Sequence, residues 1–160
     1  MPSETILILD DESHSRWTLK VLLESEHYPV VAVDTIDRAL RNFSEFEVSG
    51  LVAEYWINQR CTVEAIRELK TRFPACYVMI LTDKEMKENE YEEAMTAGVD
   101  DCFLKPLSTK KILLHIKKGL KRRSDLLSQR WLRNNEREGS GKEEEISGAQ
   151  VDPQSYRGIP

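Results

Sequence analysis

No stretch of this chain stays apolar for long enough to cross a bilayer: the longest run, Ala75 to Leu81, is about seven residues where ~20 are required. A membrane span is therefore not expected. Cysteine is scarce as well, and Cys61, Cys76 and Cys102 make neither a CxxC pair nor a zinc-like spacing with His14, His27 and His115. Free thiols in a reducing cytosol are the expectation, and with them a cytoplasmic protein. The first residues lack a basic segment, a long apolar core and a small-residue cleavage site before Asp10 is reached, so no export signal is read there. Charge of one sign is also missing: a formal net charge of -5 with both signs well mixed exerts no global pull toward nucleic acid or anionic lipid. Proteins are the expected partners. No internal repeat is found.

What is present is an alternation. Short apolar runs at Ile6–Leu9, Val30–Val33, Leu51–Ala53, Tyr77–Leu81 and Cys102–Leu104 suit strands buried on both faces of a parallel sheet, because they are rich in branched residues and do not alternate with polar ones. Between them apolar residues recur at helical spacing. Trp17, Val21, Leu22 and His14 are expected to line the inner face of the first helix, and Val63, Ile66, Leu69 and Phe73 that of the third. Thr62 is the expected start of the third helix and Gly98 the stop of the fourth. Five strands alternating with five helices predict a doubly wound α/β fold with helices on both sheet faces.

The fifth helix has no obvious stop. Ile112, Leu113, Ile116, Leu120, Leu126, Leu127, Trp131 and Leu132 keep the spacing, predicting an extended helix to roughly Asn134. Residues 1–123 are the expected domain, 124–137 a helical extension, and 138–160 a disordered tail, since that end is too poor in apolar residues to offset ordering entropy. The stripe through Trp131 needs burial, because an isolated helix of such length is marginal in water. A second copy, another partner, or its own domain are the alternatives. Lys110, Lys111, Lys117, Lys118 and Lys121 to Arg123 fall mostly opposite the apolar side, and no DNA-reading motif follows, so nucleic-acid binding is not expected.

Ligands of open parallel sheets bind beyond the carboxyl ends of the strands. Here those ends read Asp10-Asp11-Glu12, Glu54, Thr82-Asp83 and Lys105-Pro106. Acids, a hydroxyl and a lysine are thus expected on one rim. Together with Ile6 to Glu12, Leu51 to Glu54, Val78 to Thr82, Ala97 to Asp101 and Phe103 to Leu107 in this order, the chain resembles the response-regulator receiver family from about Thr5 to Lys121. The resemblance implies a flavodoxin-like five-stranded sheet and two-component signal transduction. It implies a magnesium site of Asp10, Asp11, Glu54 and the backbone carbonyl of Trp56, and it implies that Thr82 and Lys105 contact a transferred phosphoryl group. Clustered carboxylates do need such a cation or a lysine beside them.

The sequence departs from the family pattern where phosphate would be handled. Glu54 stands at the position of the acceptor aspartate, one methylene longer, and a displacement of roughly an ångström upsets in-line transfer. Asp83 adds charge next to Thr82. Cys102 replaces the family's switch aromatic, with Phe103 beside it, and Tyr55 and Trp56 either cover the pocket rim, as a lid or partner-binding aromatics, or simply pack on the following helix. The reading is a non-enzymatic, phosphorylation-independent docking receiver with a kinase or another regulator as partner; its rival is a magnesium-dependent phosphoacceptor in a phosphorelay. Bland readings stand beside each signal: Asp10 and Asp11 as helix-capping acids, Glu54 as an acid paired with Lys105, and Cys102 as a small buried hydrophobe rather than a redox sensor.

Overall fold

The computed structural model describes residues 3–147, with side chains through residue 139. Its main sheet is parallel and ordered β2-β1-β3-β6-β7, with β1 at Ile6–Leu9, β2 at Val30–Val33, β3 at Gly50–Ala53, β6 at Tyr77–Thr82 and β7 at Asp101–Leu104. Five helices connect or flank these strands: α1 (Ser13–Ser25), α2 (Ile36–Glu45), α3 (Val63–Arg72), α4 (Glu88–Ala97) and α5 (Thr109–Ser147). The expected flavodoxin-like, doubly wound architecture is therefore what the chain adopts.

The lack of alternation in β1 has its reason in two core layers. Leu7 and Leu9 pack with Phe43, Ile66, Leu69 and Ala94 on the side of α2, α3 and α4. Ile6 and Ile8 pack with Leu19, Leu23, Ile112 and Ile116 on the side of α1 and α5. Successive side chains of a strand point to opposite faces, so a strand covered on both sides must be apolar at every position. The direction of pairing reverses at β1, with β2 on one side and β3 on the other. A crevice beyond the carboxyl ends of β1 and β3 follows from that reversal.

Three expectations need correction. On α1 the buried residues are Leu19 and Leu23, whereas Trp17 is 63% and Val21 44% exposed. The Trp17–Val21 pair has valid helical spacing, but the helix turns its leucines to the sheet. Residues 56–61 form a hairpin the sequence reading did not foresee, β4 (Trp56–Ile57) paired antiparallel with β5 (Arg60–Cys61). Its turn residues Asn58 and Gln59 both have positive φ, 47° and 66°, which is the geometry of the two-residue turns that match strand twist. Finally, α5 reaches Ser147, beyond Asn134 and through residues expected to be disordered. That stretch contains glycine but no proline, and its Lys and Glu residues favour a helix. Residues 148–160 of the expected tail lie outside the described residues.

Two interruptions in the helical pattern have structural explanations. Gly98 ends α4 at φ 106°, a left-handed conformation that glycine adopts without penalty. A Cβ at Gly119 would lie 2.2 Å from the ring of Tyr77, so the bare backbone lets α5 approach β6. Among the described residues, those up to Ser124 and those from Asp125 onward are separate units by contact. No helix among the described residues is long and apolar enough to cross a membrane.

Candidate functional site

Register places the site. Leu9 pairs with Ala53 in the sheet, so the next residues, Asp10 and Glu54, emerge side by side, tied further by the Glu54 N–H donating to the Leu9 carbonyl at 2.9 Å. Thr82 pairs with Leu104, and the Lys105 N–H donates to the Thr82 carbonyl at 2.7 Å, which delivers the Lys105 side chain to the same rim.

The Lys105 ammonium has three partners for its three hydrogens: Asp10 Oδ2 at 2.9 Å, Ser15 Oγ at 2.8 Å and Glu54 Oε2 at 3.3 Å. Burial alone would lower its pKa, but hydrogen bonding and attraction from Asp10, then Glu54, outweigh that and raise it above the ordinary lysine value. Asp10 and Glu54 are buried, at 3% and 6% exposure. Their remaining oxygens are engaged by backbone. Asp10 Oδ1 accepts the Glu12 N–H at 2.9 Å, Glu54 Oε1 accepts the Tyr55 N–H at 3.0 Å, and Glu54 Oε2 also accepts the Asp83 N–H at 3.2 Å. Among the described residues no buried side-chain polar atom lacks a partner.

The other expected residues divide. Asp11 is exposed and accepts the Asn58 N–H at 2.8 Å, which anchors the unforeseen hairpin to the acid rim. Asp83 and the half-exposed indole of Trp56 line the open cleft of about 710 Å³, along with Glu12, Ser15, Asn58, Gln59 and Lys84. Tyr55 does not cover the rim; it is buried at 2% exposure in the core and meets Trp56 edge to face. Burial raises its hydroxyl's pKa. Thr82 is buried, its hydroxyl accepts from the Lys84 N–H at 3.4 Å, and the residue also lines a second hollow with Cys102 and Phe103. Burial, reinforced by Asp101, pushes the Cys102 thiol up to about 11, which disfavours the thiolate that redox sensing requires. Phe103 packs toward α5, its ring 4.6 Å from His115.

Ser15 and Asn58 are the contributors the sequence reading missed. Ser15 is legible in hindsight, because the first turn of a helix that follows an acidic strand end faces the same crevice. Asn58 becomes legible only once the hairpin is known. Thr62 opens α3 as expected, but its hydroxyl donates to the carbonyls of Glu54 and Tyr55, both at 3.1 Å. It thereby braces the backbone that carries Glu54.

The family model described as the response regulator receiver domain matches residues 6–117. The chain belongs to that family. It is similar to the transcriptional regulatory protein ResD of Bacillus subtilis strain 168, 28% identical over 119 residues that cover 74% of this chain and 49% of ResD. It is also similar to the two-component response regulator ORR5 of Oryza sativa subsp. japonica, 29% identical over 105 residues, covering 64% of this chain and 78% of ORR5. The chain thus spans about half the length of several curated relatives it matches, ResD among them. A CheY-like receiver from Methanospirillum hungatei JF-1 shares the fold with a TM-score of 0.73 at 20% identity, covering 77% of this chain and 98% of that one. A receiver domain from Clostridium thermocellum does so at 0.70 and 25%, with the same coverage.

Receiver domains are signalling modules of two-component systems that interact with kinases or other regulators, and they typically bind magnesium for phosphorylation. The oxygen-rich donor set of this receiver domain is chemically suited to a hard divalent ion. Among the described residues no three His, Cys, Asp or Glu side chains converge as a metal site. The charge of Asp10 and Glu54 is met by the Lys105 ammonium. The cleft as a whole carries five carboxylates, Asp10, Asp11, Glu12, Glu54 and Asp83, against Lys84 and Lys105.

Proposed function

We propose that this receiver domain signals by docking to other proteins without phosphoryl transfer, its acid rim held closed by Lys105. The observation carrying this reading is the clasp itself, with one ammonium bonded to Asp10, Ser15 and Glu54. Donors aimed at a site of developing negative charge stabilise a transferring phosphoryl group. Here the Lys105 ammonium and the Asp83 N–H are already taken by the Glu54 carboxylate. The longer side chain that spoils in-line geometry thereby supplies a permanent negative charge where a transient one would otherwise come and go.

In this reading the protein is not an enzyme, magnesium is dispensable, and Asp10, Asp11 and the Trp56 carbonyl are remnants of a metal site. Residues 1–123 are the receiver and 124–137 a helical extension available for association. The partner is a kinase or another regulator.

The deciding experiment is incubation of the purified chain and its Glu54→Asp variant with acetyl phosphate and magnesium, read by intact mass. The native chain is expected to stay unmodified and the variant to gain a phosphoryl group. Labelling of the native chain would restore the phosphorelay reading in place of this one. The clasp is checked by Lys105→Met, which leaves two buried carboxylates without their cation. Urea unfolding should show a loss on the order of 3 kcal/mol; unchanged stability would mean the clasp contributes nothing.

A further inference from the structure

The outward face of α1 holds side chains that the acid rim does not use. Trp17 and Val21 have the spacing of core residues yet are 63% and 44% exposed, and His14 beside them is exposed as well. Ser13, Arg16, Trp17 and Lys20 recur at three- and four-residue intervals, so they share one side of the helix. Opposite them the edge strand β2 presents Ala32, whose side chain is a single methyl group. The space between is a groove of about 580 Å³ lined by Ser13, His14, Arg16, Trp17, Lys20 and Ala32.

That lining contains no carboxylate, in a chain whose net charge is -5. The Arg16 guanidinium is held in place by donating to the Asp10 carbonyl at 2.8 Å, and its remaining N–H groups are left for an acceptor. Lys20 has Glu24 at 3.8 Å, with the two side chains 44% and 48% exposed, a pairing worth little in water. Two permanent cations therefore stand beside an open indole. Six residues line the groove, against the roughly 20–30 that each partner brings to a stable protein interface. Its volume lies within the range of roughly 300–1,000 Å³ found for small-molecule sites, so the footprint favours a small ligand over a protein.

We propose that this groove binds a nucleoside phosphate, with the base on the Trp17 indole and the phosphate between Arg16 and Lys20. A flat ring bearing an anion is the chemistry that engages the whole wall. Every base has a π-face that stacks on an aromatic side chain, and hydrogen bonds from guanidinium or ammonium to phosphate are charge-assisted and strong. Ala32 keeps the floor low, and the Ser13 hydroxyl and the His14 imidazole are polar partners for the sugar. The site goes beyond the docking reading and shares no lining residue with the acid cleft.

The test is isothermal titration calorimetry of the full chain with adenosine monophosphate in the presence of a metal chelator, with circular dichroism confirming that each variant is folded. Adenosine and inorganic phosphate are each expected to bind at least about tenfold more weakly than the nucleotide, because each fills half of the groove. Trp17→Ala and Lys20→Glu are each expected to weaken nucleotide binding by about tenfold or more, whereas Trp17→Phe and Lys20→Arg retain it to within about threefold. Trp56→Ala, in the acid cleft, is expected to change nothing. Absence of binding at millimolar nucleotide overturns the proposal. So does binding that survives both Trp17→Ala and Lys20→Glu, or inorganic phosphate binding as well as the nucleotide. A polyglutamate peptide that binds more tightly than the nucleotide also overturns it and assigns the groove to an acidic protein segment. None of these results alters acetyl phosphate labelling, so this site and the phosphate-independent reading fail separately.

Discussion

The two ends of α5 repeat the same apolar spacing and meet opposite fates. In the proximal turns Ile112, Ile116 and Leu120 are 5%, 1% and 2% exposed, whereas Leu126, Trp131 and Leu132 farther along are 54%, 62% and 53% exposed. Their glycines differ in the same way. A Cβ at Gly119 would overlap Tyr77, whereas one at Gly139 would meet nothing within 4 Å. Periodicity declares that a helix has an apolar face; it does not declare what covers that face. Burial is decided by whether a sheet lies opposite, as β6 does for the proximal turns.

Mutation can break this contrast. Ile116→Ala should lose about 2–5 kcal/mol of stability in urea unfolding, the sum of lost transfer energy and the cavity left behind. Leu127→Ala matching that loss would show the two ends to be equally packed, against the contrast drawn here. Gly119→Ala comes next. The Tyr77 hydroxyl is held by Asp101 Oδ2 at 2.5 Å, so its ring yields poorly, and overpacking should cost about 1–3 kcal/mol while alanine's helix preference offsets about 1. Gly139→Ala should act with the opposite sign, raising helicity measured by circular dichroism.

A pH ramp sharpens the packed end. Burial, then the Asp101 hydrogen bond, raises the Tyr77 hydroxyl above its ordinary value of 10.0, and burial lifts the Cys76 thiol from 9.0 to about 12. Folding thus retains protons that the unfolded chain releases. Stability should be full below pH about 9 and fall as pH rises beyond it, with a shallower fall in Tyr77→Phe. A flat alkaline profile would contradict the burial of these groups. The smallest effect is expected from Leu127→Ala, within about 0.5 kcal/mol on monomer stability, with its consequence reserved for association.

Much of the fold was legible because β1, β3 and β6 are buried on both faces and so read as unbroken apolar runs. The acid rim was legible because strand ends in a parallel sheet converge whatever the side chains. The inner face of α1 was misread, since Trp17 and Val21 satisfy helical spacing as well as Leu19 and Leu23 do, and spacing fixes only relative angles around the axis. The hairpin at Asn58 was missed because two-residue strands carry almost no periodic signal.

By itself the sequence determined the alternation of strands and helices, the family, and the kinds of chemical group gathered at the rim, because these depend on local pattern and on residue identity. Only the tertiary structure decided that one lysine ammonium would be divided among Asp10, Ser15 and Glu54, since those residues lie as much as 95 positions from Lys105 in the chain. Hydrogen-bond geometry at that range is set by strand register and packing, and no local pattern of residues encodes it.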